Sequence, residues 1–240
     1  MLSSFYSFLS KVAFVKRLKG FLLVFTFILP LFCCCACNRK SVDYFSYVSE
    51  LRSNVFLAET EEFSLKIYTG FKESPYLADG RKRSVNPRTE IFLTALSGEK
   101  NYCAQFTHLG KTYGGDLSFD NVKSDYFYHC DVDVSALNEL VVEISYGDTV
   151  VELNAVSVLK NSEESNVLSP EEILQKVCLS ERERVQIMTD QNGFLGEFYI
   201  RLLHESAPYY YVGIVDRESK IYSLLLDAKS GKILAKRENA

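Results

Sequence analysis

Three groups of side chains have types and spacings that could carry chemistry. His129, Asp131 and Asp133 recur at every second position, so an extended chain would place them on one face, and an imidazole with two carboxylates can ligate a divalent ion. Same-face neighbours on a strand stand about 7 Å apart, which is long for a single ion. The face is therefore read as solvated, with no metal and no cofactor. Arg81, Lys82 and Arg83, with Arg88 close by, lie among the turn signals Asp79-Gly80 and Asn86-Pro87. Such a loop is either a solvated tip or a contact for an anionic lipid or wall polymer. Tyr199, Arg201, Tyr209 and Tyr211 form the third group, at alternate positions of two apolar stretches. Tyrosine and arginine are the side chains that protein interfaces enrich.

Signatures of catalysis are missing from the sequence. It has no Gly-x-Ser-x-Gly elbow, no His-Glu-x-x-His, no phosphate loop and no paired Cys-x-x-Cys. Gly114-Gly115 lacks the strand–loop–helix context of a phosphate loop and reads as a hairpin turn or bulge. Glu181 and Glu183 alternate with Arg182 and Arg184 as on a solvated helix, and His204-Glu205 closes a strand without a nucleophile. With three histidines and no tryptophan in 240 residues, the chain reads as a non-catalytic protein.

Charge is distributed unevenly. The net charge is −4, yet the four charged residues before position 37 (Lys11, Lys16, Arg17, Lys19) are all basic, so the remainder carries 23 basic and 31 acidic side chains, a net of −8. A body that acidic is a poor match for nucleic-acid phosphates. The basic segment leads into an apolar run of 17 residues, Phe21 to Cys37, interrupted by Thr26 and Pro30. That length is at the lower limit for a spanning helix, about 17–25 residues, and the order of basic, apolar and small residues is that of a secretory signal. The Ala36-Cys37 junction resembles a bacterial lipobox, with Cys34 where that family favours leucine. The resemblance implies cleavage before Cys37, lipidation of Cys37 and a membrane tether without a spanning helix. The alternative is an uncleaved anchor. Both place the body on the extracytoplasmic face, because the basic flank stays inside. Of seven cysteines four lie in this region, and Cys103, Cys130 and Cys178 remain. Strand parity puts Cys130 inward and Cys103 outward, which does not suit a disulfide.

The spacing of apolar residues then predicts two domains. Over 44–160, Phe63, Leu65 and Ile67, then Tyr102, Ala104 and Phe106, then Leu140, Val142 and Ile144, then Leu153 and Ala155 alternate with polar neighbours. Short alternating strands between turns predict an all-β domain, read as an immunoglobulin-like sandwich. Residues 1–36 are the signal peptide, 37–43 a tether and 161–168 a polar linker. Over 169–240, Ser169-Pro170-Glu171-Glu172 opens a helix, with serine as N-cap, proline at N1 and glutamate at N3. Strands over 194–204, 209–215, 221–228 and 233–236 follow. One helix on an antiparallel meander predicts a two-layer α+β domain. Its even positions, such as Phe198, Ile200, Tyr210 and Val212, should face the helix. The odd positions, with Tyr199, Arg201, Leu203, Tyr209, Tyr211 and Leu225, form a second, tyrosine-rich face that no helix covers; either the first domain covers it within the chain or a partner protein does.

Tyr210–Val215, Ile221–Ala228 and Ser230–Leu234 resemble the end of a PepSY domain, which closes on Asp-Ala-x-x-Gly-x-Ile; here those residues are Asp227, Ala228, Gly231 and Ile233. The resemblance covers about 30 residues. It implies a secreted or membrane-attached module that binds or restrains peptidases. The expected protein is a membrane-tethered lipoprotein that binds an envelope protein partner. The competing expectations are a polymer- or solute-binding lipoprotein and a structural surface protein.

Overall fold

The computed structural model describes residues 42–95, 101–160 and 166–239. The expected signal segment, Cys37 and most of the expected tether lie outside the described residues, as do positions 161–165 of the expected linker. Residues 42–239 belong to one compact unit.

A short 3-10 turn at Tyr44–Tyr47 leads into β1 (Val48–Glu59), β2 (Phe63–Glu73), β3 (Val85–Ala95), β4 (Cys103–His108), β5 (Lys111–Asp116), β6 (Ser118–Asp120), β7 (Asp125–Cys130), β8 (Glu139–Tyr146) and β9 (Thr149–Ser157). Helices α1 (Pro170–Ser180) and α2 (Arg182–Ile187) follow. The hairpin β10 (Thr189–Asp190) and β11 (Gly193–Phe194) precedes the meander β12 (Gly196–His204), β13 (Pro208–Asp216), β14 (Ile221–Asp227) and β15 (Ile233–Asn239). Except for β10 and β11, these strands join one sheet of 13 strands.

That sheet overturns the expected sandwich with a separate α+β domain. The first nine strands do not divide into two facing layers. They run β5-β4-β8-β9-β1-β2-β3-β7-β6 around a nearly closed, barrel-like sheet. The Tyr128 ring of β7 lies against Gly115 of β5 across the remaining gap. The meander is not a separate layer either, because β12 pairs with β1 in parallel, Val48 opposite Phe198 and Leu51 opposite Ile200. Alternation shows only that each strand buries one face, which a sandwich and a barrel share. Which edges meet is settled by long-range pairing.

Two cores result. Phe56, Phe63, Ile67, Tyr102, Val142 and Leu153 fill the barrel. Ile173, Leu174 and Val177 of α1 pack on Phe198, Ile200 and Val212 of the meander, as the even-position pattern predicts. The start of α1 also forms as the sequence indicates: Ser169 Oγ accepts from Glu172 N–H at 3.2 Å, and Glu172 Oε2 accepts from Ser169 N–H at 2.8 Å.

Strand β1 is shared between the cores. One edge pairs with β2 along almost its whole length. The other pairs with β12 over Val48–Arg52 and with β9 at Phe56 and Leu57. At the fork β1 bulges between Arg52 and Asn54. Gly70 of β2 lies opposite Arg52, where a Cβ would collide with the Leu51 carbonyl. Buried Asn54 closes the fork. Its Nδ2 donates to the Ser135 carbonyl at 3.0 Å, and its Oδ1 accepts from Ser157 Oγ and Val55 N–H, both at 2.8 Å.

Asn54→Ala removes these bonds and leaves buried polar groups unmatched, at a cost of about 1–3 kcal/mol. Thermal unfolding should fall by about 2–12 °C for a unit of this size. A melting temperature within about 1 °C of wild type would show that Asn54 does not hold the fork.

Candidate functional site

The joint between β12 and β1 brings together charges that lie far apart in the sequence. Glu50 is buried on β1, next to β12. Its carboxylate accepts from Arg201 Nε and Nη2, both at 2.7 Å, in a two-pronged pair. Lys72 Nζ lies 3.5 Å from the same carboxylate and Arg52 Nε 3.9 Å. Two strands further on, Glu90 accepts from Arg52 Nη2 at 2.7 Å, with Arg88 Nε at 3.7 Å. Cations and anions thus alternate across β12, β1, β2 and β3. Burial pushes the Glu50 carboxyl up, but Arg201, Lys72 and Arg52 together outweigh it and hold the group below the usual glutamate range. Tyrosine rings line the ladder. Arg52 lies 4.6 Å over Tyr68, Lys72 4.7 Å over Tyr76, and Arg201 5.3 Å and 5.4 Å from Tyr199 and Tyr211. Burial raises the Tyr68 phenol to about 12.

Tyr199, Arg201, Tyr209 and Tyr211 are brought to the sheet face opposite α1. Tyr199 is buried there, under the Tyr76 ring at 5.6 Å between centroids. Arg201 is fixed by Glu50. The Tyr211 hydroxyl is 2.8 Å from Ser223 Oγ. Tyr209 and Tyr211, with Leu203 and Leu225, remain half-buried on the uncovered part.

Arg81, Lys82, Arg83 and Arg88 do not form one basic tip. Residues 74–84 fold back as a strap. Arg83 pairs with Asp79 at 2.6 Å, and its backbone N–H donates to Glu73. Lys82 Nζ donates to the Ser46 carbonyl at 2.7 Å. Arg81 stays exposed, and Arg88 belongs to the charge ladder on β3. Beneath the strap lie two buried carboxylates, Glu73 and Glu197. Glu197 accepts from the Tyr199 hydroxyl at 3.2 Å. Burial raises its pKa, hydrogen bonds from Ser49, Tyr199 and Gly80 oppose the rise, and Glu73 adds to it.

His129, Asp131 and Asp133 are separated because β7 ends at Cys130. His129 sits opposite Glu90, Asp131 lies 3.8 Å from Arg88, and Asp133 accepts from Thr69 Oγ1 and Ser135 N–H. Cys103, Cys130 and Cys178 are free thiols. Burial raises Cys130 to about 11 and Cys178 to about 12, so neither is an activated nucleophile. Asp227, Ala228 and Gly231 build a turn. Asp227 Oδ1 accepts from Ser230 N–H at 2.7 Å, and Gly231 takes the positive φ of 68° that the tight turn needs.

Glu50, Arg52, Lys72, Glu73, Glu90 and Glu197 were not legible as a group. Glu50-x-Arg52 and Arg88-x-Glu90 do carry a signal, since charges of opposite sign two residues apart in apolar strands must face the same way. Comparison with protein-family models, curated proteins and solved structures finds no match.

The two types of buried carboxylate respond oppositely to pH. Glu197 titrates above its unfolded value, so ionising it costs stability as pH rises from about 4.5 through the raised pKa. Glu197→Gln should therefore raise the melting temperature by about 2–4 °C at neutral pH, the scale of about 1 kcal/mol, and the gain should vanish near pH 4. Glu50 titrates below its unfolded value, so its contribution is present above about pH 4.5 and is lost as pH falls through the lowered pKa. Glu50→Gln should destabilise at neutral pH by about 3–5 kcal/mol, because Arg201 loses its two-pronged partner and Lys72 its nearest anion. Melting curves from pH 3.5 to 8 check both signs. Parallel pH profiles for the two variants would overturn the assignment.

Proposed function

We propose that the chain is a membrane-tethered extracytoplasmic lipoprotein that acts by binding a protein partner rather than by catalysis. One observation carries the binding part of this reading: α1 covers one face of the meander, while the opposite face leaves Leu203, Tyr209, Tyr211 and Leu225 half-buried around an Arg201 whose guanidinium is already fixed. An apolar patch that keeps contact with water suits an interface. Tyrosines give large contact area at low entropic cost, and a rigid arginine has little freedom left to lose on binding. The tether part is supported by the Ala36-Cys37 junction after a basic and then apolar N-terminus. A peptidase-directed role is supported only by the resemblance of residues 210–234, in the last three strands, to the end of a PepSY domain.

Two measurements test this reading. In the tethered form, intact mass should correspond to a chain beginning at a diacylated Cys37, and Cys37→Ala should retain the N-terminal segment and lose the lipid mass. An unmodified full-length wild-type chain would overturn lipidation. For binding, the full chain is used as bait in solubilised envelope. Tyr209→Ala combined with Tyr211→Ala should reduce capture of any specific partner by about tenfold or more while leaving one cooperative unfolding transition. That capture should also survive about 0.5 M salt, where exposed charge contacts are screened. Undiminished capture by the double variant would remove this face from the function.

A further inference from the structure

Residues 74–84, the strap between β2 and β3, have almost no apolar support. None of them belongs to either hydrophobic core, and Leu77, the one branched aliphatic side chain among them, is 49% exposed. Short polar contacts hold the segment instead. Arg83 pairs with Asp79 at 2.6 Å, and Lys82 Nζ donates to the Ser46 carbonyl at 2.7 Å. Gly80 sits so close to the Asp216 backbone that a Cβ there would collide with it. The Tyr76 ring rests on Tyr199. A segment with few buried apolar contacts opens at lower free energy than the core around it.

What the strap covers opposes its closure. Glu73 and Glu197 are both buried, and each has one carboxylate oxygen, Oε2, without a hydrogen-bond partner. The other two oxygens are met: Arg83 N–H donates to Glu73 Oε1, and the Tyr199 hydroxyl donates to Glu197 Oε1 at 3.2 Å. Glu197 is faced by Ser49 from β1, Glu73 from β2, Tyr199 from β12, and the Gly80 N–H, Tyr76 and Arg83 from the strap. Arg83 lies 3.7 Å from Glu73 Oε2 and is already paired with Asp79, so one cation serves three carboxylates. Two neighbouring buried negative charges repel, and a proton on one of them removes the repulsion. Opening the strap admits water to the same oxygens. The histidines are elsewhere: His108 and His129 are on β4 and β7, and His204 is at the far end of β12 from Glu197.

We propose that residues 74–84 are a pH-sensitive lid over Tyr199, closed while Glu73 and Glu197 share a proton and loosened when both carry charge. The closed form retains the proton because burial, with the Glu73 charge adding to it, raises the Glu197 pKa. Opening hydrates Glu197 and returns it toward its ordinary value of 4.5. Closure is therefore complete at mildly acidic pH and weakens as pH rises through the raised pKa. The Arg83–Asp79 pair keeps both charges throughout, since each partner stabilises the ionised form of the other. Opening uncovers Tyr199 beside Arg201, on the face that Tyr211 shares. The lid is a property of the chain alone and does not rest on the partner reading.

Amide hydrogen exchange of the full chain in detergent reads the lid from about pH 5 to 8, with rates divided by those of an unstructured chain at each pH. Strap amides should be protected at least about tenfold less than those of α1 at every pH, because they open locally. One unit of difference between the closed and open pKa is about a tenfold change in the opening equilibrium, so strap protection should fall about tenfold over this range. Glu197→Gln should hold protection at its value near pH 5. Glu73→Gln keeps an acceptor for Arg83 N–H and should flatten the fall; it decides the question if Glu197→Gln does not fold cooperatively. The chain has no tryptophan, so Tyr76→Trp adds a single reporter at the contact with Tyr199. Its emission should move to longer wavelength as pH rises, and should stay fixed when Glu197→Gln is added. The proposal fails if wild-type protection does not fall, if Glu197→Gln folds and retains the wild-type fall, or if strap amides exchange no faster than those of α1. Tryptophan emission that is constant with pH would equally overturn it. None of these outcomes bears on capture through Tyr209 and Tyr211.

Discussion

A β-strand has two hydrogen-bonding edges, and three strands claim those of β1. Strand β2 occupies one edge for almost the whole length; β12 and β9 divide the other. The division works because β1 bulges after Arg52, and because the buried amide of Asn54 supplies at the fork the donor and acceptor that neither neighbouring ladder provides there. A buried backbone edge without partners is too costly to leave open. The bulge and the amide therefore allow a barrel and a helix-covered meander to form one sheet. Everything that distinguishes this molecule from two linked domains follows from that fork.

The fork also explains why charges are buried at the seam. Pairing β12 with β1 places Arg201 beside Glu50, and pairing β1 with β2 places Lys72 beside it from the other side. Burying ions is unfavourable unless their hydrogen bonds are met, and a well-packed apolar seam could be equally stable. What the ions supply is register. Slipping β12 by one residue would turn Arg201 toward the Ile173 and Val177 side of α1 and leave Glu50 without its two-pronged partner. The cost of a wrong register is then several buried charges rather than a few methyl contacts. The same ladder limits the meander's open face, since the guanidinium at its centre is already committed to Glu50.

The surface chemistry is correspondingly local. The body beyond the N-terminal segment carries a net charge of −8, so long-range attraction cannot recruit a polyanion to it. Within residues 74–84, Lys82 and Arg83 make internal contacts with the Ser46 carbonyl, Asp79 and Glu73, while Arg81 stays exposed. Their charge serves to hold the strap across the buried Glu73 and Glu197.

Local features were legible in the sequence because neighbouring residues decide them. Ser169, Pro170 and Glu172 start α1, Gly231 turns the last hairpin, and period-two alternation identifies the inward residues of β2, β4, β8 and β12 together with the tyrosine-bearing opposite face. The tertiary structure alone decided which edges pair, and with them the barrel, the parallel β1–β12 joint and the grouping of Glu50, Lys72, Glu90 and Arg201. Alternation records which face of a strand is buried and says nothing about its edges, since backbone N–H and C=O groups are the same in every residue but proline. The partner of an edge is chosen by the combined fit of side chains up to 151 positions apart, and no short stretch of sequence contains that information.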